Sequence, residues 1–244
     1  MFSQLYRCLY HMAHEEAWES IQRHGLLSTT SILNLWEVEE PKRTVVEQEI
    51  RRSSVELIHP RYGKVVIRDQ KPMYERKLRK ALIDCTPRQW CLLLNRKVFF
   101  WPTEERLARH MSARENRGKR HLVLTVDSFA LTTAYEKKIT LCPLNSGNTI
   151  PFAQKRSANS LMPMCDYPFT ERLARGPYYT VVEVAVDVAV PDILKFVVKA
   201  DYMTFTGSSI QHLQNVLPSM AFTIPPAEPY LRSRISQRSQ MLRD

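Results

Sequence analysis

The longest β-rich stretch of the chain runs from Tyr178 to Val190 and contains Val181-Val182-Glu183-Val184-Ala185-Val186. β-Branched residues at nearly every position favour a pleated, packed surface over a helix, so whatever fold the chain adopts must give this run a place in a sheet. Glu183 interrupts it. Burying a carboxylate costs several kcal/mol unless something offsets the loss of water. On a sheet with one solvated face, alternation sets Val182 and Val184 on one side and Val181, Glu183 and Ala185 on the other. Two placements meet that cost: an exposed position at a sheet edge, or a carboxylate projecting into a cleft from a rigid strand.

The remaining elements are read from periodicity and punctuation. Gln4 to Tyr10 runs into His11-Met12-Ala13-His14 as a short strand ending at a turn, with His11 closing it. Glu15 to His24 has acids in front, Arg23 and His24 behind and Gly25 as the stop, which predicts a helix. Ser31 to Arg52 is charged and helix-favouring, broken at Pro41. Tyr74 to Ile83 is basic and amphipathic, and Thr86-Pro87 caps a further helix to Leu94. Residues 31–94 therefore read as a largely helical insertion, with Val65 to Asp69 as a strand leading into a turn. Val98-Phe99-Phe100-Trp101 is a short apolar strand stopped by Pro102, Glu104 to Arg114 a helix, and His121 to Asp127 an alternating strand. Leu144 to Gly176 is dominated by Asn, Ser, Pro, Gly and Arg, and a loop of that length inside a domain is functional or disordered. Pro191-Asp192-Ile193 leads into a helix or strand to Lys199, and Ser209 to Val216 reads as a last helix. Thr223 to Asp244, with three prolines and four arginines, reads as a flexible basic tail.

Composition narrows the chemistry. The 244 residues are 44% hydrophobic and 25% charged, enough for one domain, here residues 1–222, with a full core. Thirty-five Lys and Arg against 25 Asp and Glu leave a net charge of +10, which favours a polyanionic partner such as DNA, RNA or a phosphate-bearing small molecule, and also serves solubility. The five cysteines form no C-x-x-C pair, so neither a zinc site nor a disulfide framework is suggested, and no metal is expected. There is no apolar leader after a basic start and no run of eighteen apolar residues, so a cytoplasmic chain with no membrane partner is expected. With six glycines and no G-x-x-x-x-G-K-[ST], G-x-G-x-x-G, G-x-S-x-G or H-E-x-x-H, a glycine-rich phosphate cradle is nearly excluded.

Three separated sites remain: His11, the turn Phe99 to Thr103, and Glu183. Each has an ordinary alternative. A histidine at a strand end is usually packed or solvated, and the aromatic turn reads equally as a buried core strand, with Phe99 in that role.

Taken in order, Tyr10-His11-Met12-Ala13-His14, Arg23-His24-Gly25-Leu26-Leu27-Ser28, Val98-Phe99-Phe100-Trp101 and Val182-Glu183-Val184-Ala185-Val186 with Val190-Pro191-Asp192-Ile193 resemble the DarT-like branch of the ADP-ribosyltransferase superfamily, over roughly residues 5 to 200. They are also similar to a family of uncharacterised bacterial proteins in that neighbourhood. The resemblance implies an α+β fold with a mixed, mostly antiparallel split sheet, flanking helices and a helical insertion. It implies NAD as co-substrate and transfer of ADP-ribose to a nucleic-acid or protein acceptor, as in a bacterial toxin or defence enzyme with an antitoxin protein as partner. It would make His11 the anchor of the NAD ribose, Trp101 or Thr103 the seat of nicotinamide, and Glu183 the carboxylate that polarises the ribose as the glycosidic bond breaks. Ala13 stands where that branch usually has Thr between two histidines. Among Arg51, Arg52, Arg61 and Arg68, Arg68 is the favoured arginine for phosphate or acceptor. Residues 144–176 match the acceptor-recognition loop in position, with Lys155, Arg156, Arg172 and Arg175 suited to a nucleic-acid backbone. Two readings compete: a non-catalytic nucleic-acid-binding module on the same fold, and an RNA 2′-phosphotransferase-like enzyme.

Overall fold

The computed structural model describes residues 2–176 and 180–217. The expected basic tail from Thr223, and the first two residues, 178–179, of the long β-rich run, lie outside the described residues.

A first turn, α1 (Phe2–Leu5), precedes β1 (Cys8–His14), a 3-10 turn over Glu15–Ala17 and α2 (Trp18–His24). His11 therefore sits in the middle of its strand, because β1 stays in register with its neighbour as far as His14. Gly25 ends α2 at φ +72, and a Cβ there would lie 2.4 Å from the Pro191 Cα, so only glycine lets the chain pass into β2 (Leu26–Leu27).

The segment expected to be a largely helical insertion holds α3 (Thr29–Leu35), α4 (Lys42–Gln48), α5 (Glu75–Ala81) and α6 (Pro87–Asn95), but also a full hairpin, β3 (Val55–His59) with β4 (Gly63–Ile67). Valine and isoleucine alternation around Gly63, at φ +77, outweighs the local helix-favouring charge pattern. Leu57 and Ile67 of the hairpin pack with Leu33, Trp36 and Val46 into a small core of their own. Thr86 and Gln89 form a reciprocal capping box at the start of α6.

Then follow β5 (Lys97–Phe100), α7 (Glu104–Ser112), β6 (His121–Asp127), α8 (Ser128–Ala134), β7 (Ile139–Cys142), β8 (Met162–Pro163) and α9 (Phe169–Leu173). The chain continues with β9 (Glu183–Asp187), β10 (Ala189–Val190), β11 (Val197–Thr206) and β12 (Ser209–Leu217). The last is a correction: Ser209 to Val216 is a strand, not a helix. Gly207, at φ +62, turns the chain back so that β12 gains the hydrogen bonds of a long antiparallel partner, which an isolated helix of this length cannot match.

Two four-stranded antiparallel sheets result, ordered β1-β6-β11-β12 and β5-β9-β7-β8. They meet where Tyr10 and Trp101 exchange both backbone hydrogen bonds, at 2.9 and 2.8 Å. Among the described residues no further bridge joins β1 to β5, and the two sheets are separate. Leu9, Leu124 and Val126 of the first sheet and Val184 and Val186 of the second belong to one buried apolar cluster, each such burial contributing about 1.5–3 kcal/mol. The molecule is an α+β protein with antiparallel sheets and flanking helices. Among the described residues no helix is long and apolar enough to cross a membrane.

Candidate active site

β9 lies between β5 and β7 and is paired on both sides, so Glu183 occupies a central strand and not a sheet edge. It is 5% exposed. Its Oε2 accepts a hydrogen bond from the Ser146 backbone amide at 3.1 Å. Burial pushes its carboxyl up to about 7, while the Ser146 bond and the charges of Arg156 and Arg106 pull in the opposite direction. A carboxylate that titrates near neutrality on a rigid strand is a recurrent property of functional sites.

Glu183 lines a cleft of about 720 Å³ that also carries His11, Arg68 and Trp101. Residues from both sheets and from the β3–β4 hairpin thus converge on one space. His11 Nδ1 donates to the Phe99 carbonyl at 2.8 Å, and burial holds the imidazole down at about 4, so the ring is neutral. With Nδ1 carrying the proton, Nε2 is left as a hydrogen-bond acceptor. Phe99 supplies that carbonyl and is itself only half-buried at the cleft wall. Trp101 is half-buried, its ring 4.9 Å from that of His110.

Arg68 projects from the end of β4, its Nη2 on Asn116 Oδ1 at 2.7 Å and its Nη1 on the Met12 carbonyl at 3.4 Å. Arg51 lines the same cleft, held by the carbonyls of Val46 and Arg68 and by Asn95. Among the described residues no carboxylate lies within ion-pair distance of either guanidinium. Burial lowers both, Arg51 to about 10. Cations withdrawn from water with no carboxylate in contact are costly; the charge of Asp69, on the same cleft, only partly offsets the burial of both, and the cleft also holds Arg106 and Arg109. Such a lining suits an anionic ligand.

The other expected site residues divide. Thr103 is not part of the cleft lining: its side chain caps α7 by accepting from the Arg106 amide at 3.3 Å, as its place one residue before Glu104-Glu105 dictates. Arg156 is corrected outright. It is 2% exposed and donates to four backbone carbonyls, so it offers nothing to a nucleic-acid backbone. Lys155 and Arg172 line a second pocket of about 510 Å³ that shares Pro143, Leu144 and Gln154 with the main cleft. The Lys155 ammonium is held by the Lys80 carbonyl, and the Arg172 guanidinium lies 5.4 Å from the Tyr167 ring centroid. Arg175 is exposed and lines neither space.

Sequence reasoning missed Ser146, Arg106 and His110. The turn signal Asn145-Ser146-Gly147 was present, but nothing local says which carboxylate its amide will meet. Among the described residues no cluster of three His, Cys, Asp or Glu side chains is placed to hold a metal ion.

Burial is the first cause holding three imidazoles, His11, His110 and His121, far below the ordinary value, at about 4, 3 and 4, with the Arg68 charge adding to it. Unfolding returns each toward 6.5, so the unfolded chain binds more protons below that pH and stability is lost as the pH falls from 6.5 through 4. Glu183, raised in the fold, works the other way between 4.5 and 7, one group against three. Urea midpoints should fall steeply below pH 6.5, and His110→Gln should flatten the fall. A midpoint constant down to pH 4 would show that these histidines are not buried as neutral rings.

Fold and site together define an α+β protein with two antiparallel sheets opening on a basic cleft that contains one buried, near-neutral carboxyl. The chain belongs to the DUF7002 family, a family of unknown function whose model matches residues 7–197. No curated protein matches it.

Proposed function

We propose that the chain is an NAD-dependent mono-ADP-ribosyltransferase, acting on a nucleic-acid or protein acceptor. The observation that carries this reading is the meeting of Glu183 and His11, from different sheets, on one cleft with Arg68 and Trp101. Its volume of about 720 Å³ is within the range of small-molecule and cofactor sites, about 300–1,000 Å³.

Bound there, NAD supplies an activated ribosyl C1′: the glycosidic C–N bond breaks with its electron pair leaving on nicotinamide, the acceptor bonds to C1′, and the acceptor's proton passes to solvent. Glu183, ionised, holds the ribose 2′-hydroxyl and offsets the positive charge that develops on the sugar, without becoming a nucleophile. His11 accepts from a ribose hydroxyl through Nε2. Trp101 offers an aromatic face to the nicotinamide ring. Arg68 neutralises the diphosphate through a guanidinium already fixed by Asn116. Lys155 and Arg172, in the adjoining pocket, face the acceptor. An enzyme of this kind would act as a toxin or defence protein and call for an antitoxin partner.

The test is incubation of the full chain with NAD labelled on the adenylate phosphate, in the presence of single-stranded oligonucleotides or of a protein mixture, following nicotinamide release and transfer of label. Release that requires Glu183 supports the reading. Oligonucleotide binding with neither NAD binding nor nicotinamide release would leave a nucleic-acid-binding module instead.

A further inference from the structure

Beneath the cleft, Arg156 spends its guanidinium on the turn that touches Glu183. Nη1 donates to the carbonyls of Ser146 at 2.7 Å and Asn145 at 3.4 Å, Nη2 to that of Asn148 at 2.8 Å, and Nε to that of Gln154 at 3.0 Å. The Asn145 carbonyl belongs to the same peptide unit as the Ser146 amide, and that amide is the donor to Glu183 Oε2. One peptide thus has a buried cation on its oxygen and a buried carboxylate on its hydrogen. Trp90, fully buried, adds its indole N–H to the Ser146 carbonyl at 3.3 Å. The base of the arrangement is firm: the Arg156 amide donates to the Ala81 carbonyl and its own carbonyl accepts from Ile83, which ties it to the end of α5.

We propose that Arg156 is a positioning residue for Glu183, clamping the Asn145–Asn148 turn so that the Ser146 amide is held, and polarised, toward the carboxylate. The proposal rests on Glu183 being the working carboxylate of the cleft, but the geometry stands whatever the ligand. A hydrogen-bonded chain in a low-dielectric interior strengthens along its length, and a planar fork can meet several carbonyls at fixed angles where an ammonium cannot. A simple structural staple would need only to hold the loop. A positioning residue must also set how readily Glu183 ionises. The other charged or titratable groups acting on that carboxyl are Arg106 on α7 and the Cys142 thiol across from it on β7.

The experiment is a titration of the full chain by NMR, with glutamate carboxyls carbon-labelled and backbone amides nitrogen-labelled, in wild type, Arg156→Lys, Arg156→Gln and Glu183→Gln. In wild type the Ser146 amide should titrate with the same midpoint as the Glu183 carboxyl, and that response should vanish in Glu183→Gln. In the Arg156 variants the Glu183 midpoint should rise by about half a pH unit or more, a roughly threefold weaker hold on the anion. The acid limb of kcat/KM for nicotinamide release should move with it. An unchanged Glu183 midpoint in a folded Arg156→Lys protein overturns the proposal, and so does a wild-type Ser146 amide indifferent to pH. If neither Arg156 variant folds, the Arg156 guanidinium resonances of the wild type decide: they should shift with the Glu183 midpoint and cease to do so in Glu183→Gln, and indifference to that titration overturns the proposal. A shifted midpoint in a chain that releases no nicotinamide even as wild type supports the positioning role and removes the transferase reading.

Discussion

Glu183→Gln should abolish NAD-dependent labelling while leaving the fold and NAD affinity nearly unchanged. Glutamine keeps the size and hydrogen-bonding reach of the side chain but not the negative charge needed as the sugar becomes cationic, so the loss falls on the chemical step and little on ground-state binding. Removing one preorganised electrostatic contact of this kind costs about 2.7–4 kcal/mol, roughly two to three orders of magnitude in rate. Stability should move the other way. The Glu183 carboxyl titrates near 7 in the fold and near 4.5 when free, so the folded state holds its proton more tightly, and the protein loses stability as the pH rises from 4.5 through 7. At pH 8 the neutral variant should be more stable than wild type by up to roughly 3 kcal/mol, and at pH 4 the two should be alike. Nicotinamide release and thermal melting at both pH values are the paired measurements. Wild-type turnover in a well-folded Glu183→Gln protein would reduce Glu183 to a buried structural acid.

Replacement of Arg68 by alanine should weaken NAD binding by about 10- to 150-fold, the 1.5–3 kcal/mol expected of a charge-assisted hydrogen bond. Arg68→Lys should recover little, because an ammonium cannot hold Asn116 and the Met12 carbonyl and meet a phosphate as a fork does. The same substitution has a signature independent of ligand. The Arg68 charge helps hold His110 and His121 in the neutral form, so both should titrate closer to 6.5 once it is gone. Loss of stability should be modest, since a buried guanidinium with no carboxylate in contact is itself a liability, only partly offset by the charge of Asp69. Calorimetric titration with NAD, together with histidine ring resonances followed against pH, separates the two effects. An unaltered affinity with shifted histidines would make Arg68 an electrostatic support of the fold and no part of the ligand site.

Short-range physics was legible in the chain before folding. The Thr86-Pro87-Gln89 start of α6, the glycine that ends α2 and the β-branched run that becomes β9 and β10 each depend on neighbours within a few residues. The order of His11, Trp101 and Glu183 along the sequence was legible in the same way, as three strands each carrying one unusual side chain.

Long-range pairing settled the rest. Nothing local distinguishes an edge strand from a central one, yet the placing of β9 between β5 and β7, with Glu183 opposite Cys142 and its carboxylate against the Ser146 amide, makes it a buried group titrating near 7. Ser209 to Leu217 has no strong period of its own and becomes a strand because β11 is there to pair with it. Arginine in a polar loop reads as a surface cation, and only the closing of the Asn145–Asn148 turn over Arg156 shows that its charge is consumed inside the molecule. Propensity, caps and turns belong to the sequence because their energies are set by adjacent residues. Burial, pairing partners and the field at Glu183 belong to the tertiary structure because they are sums over groups that the chain order keeps far apart.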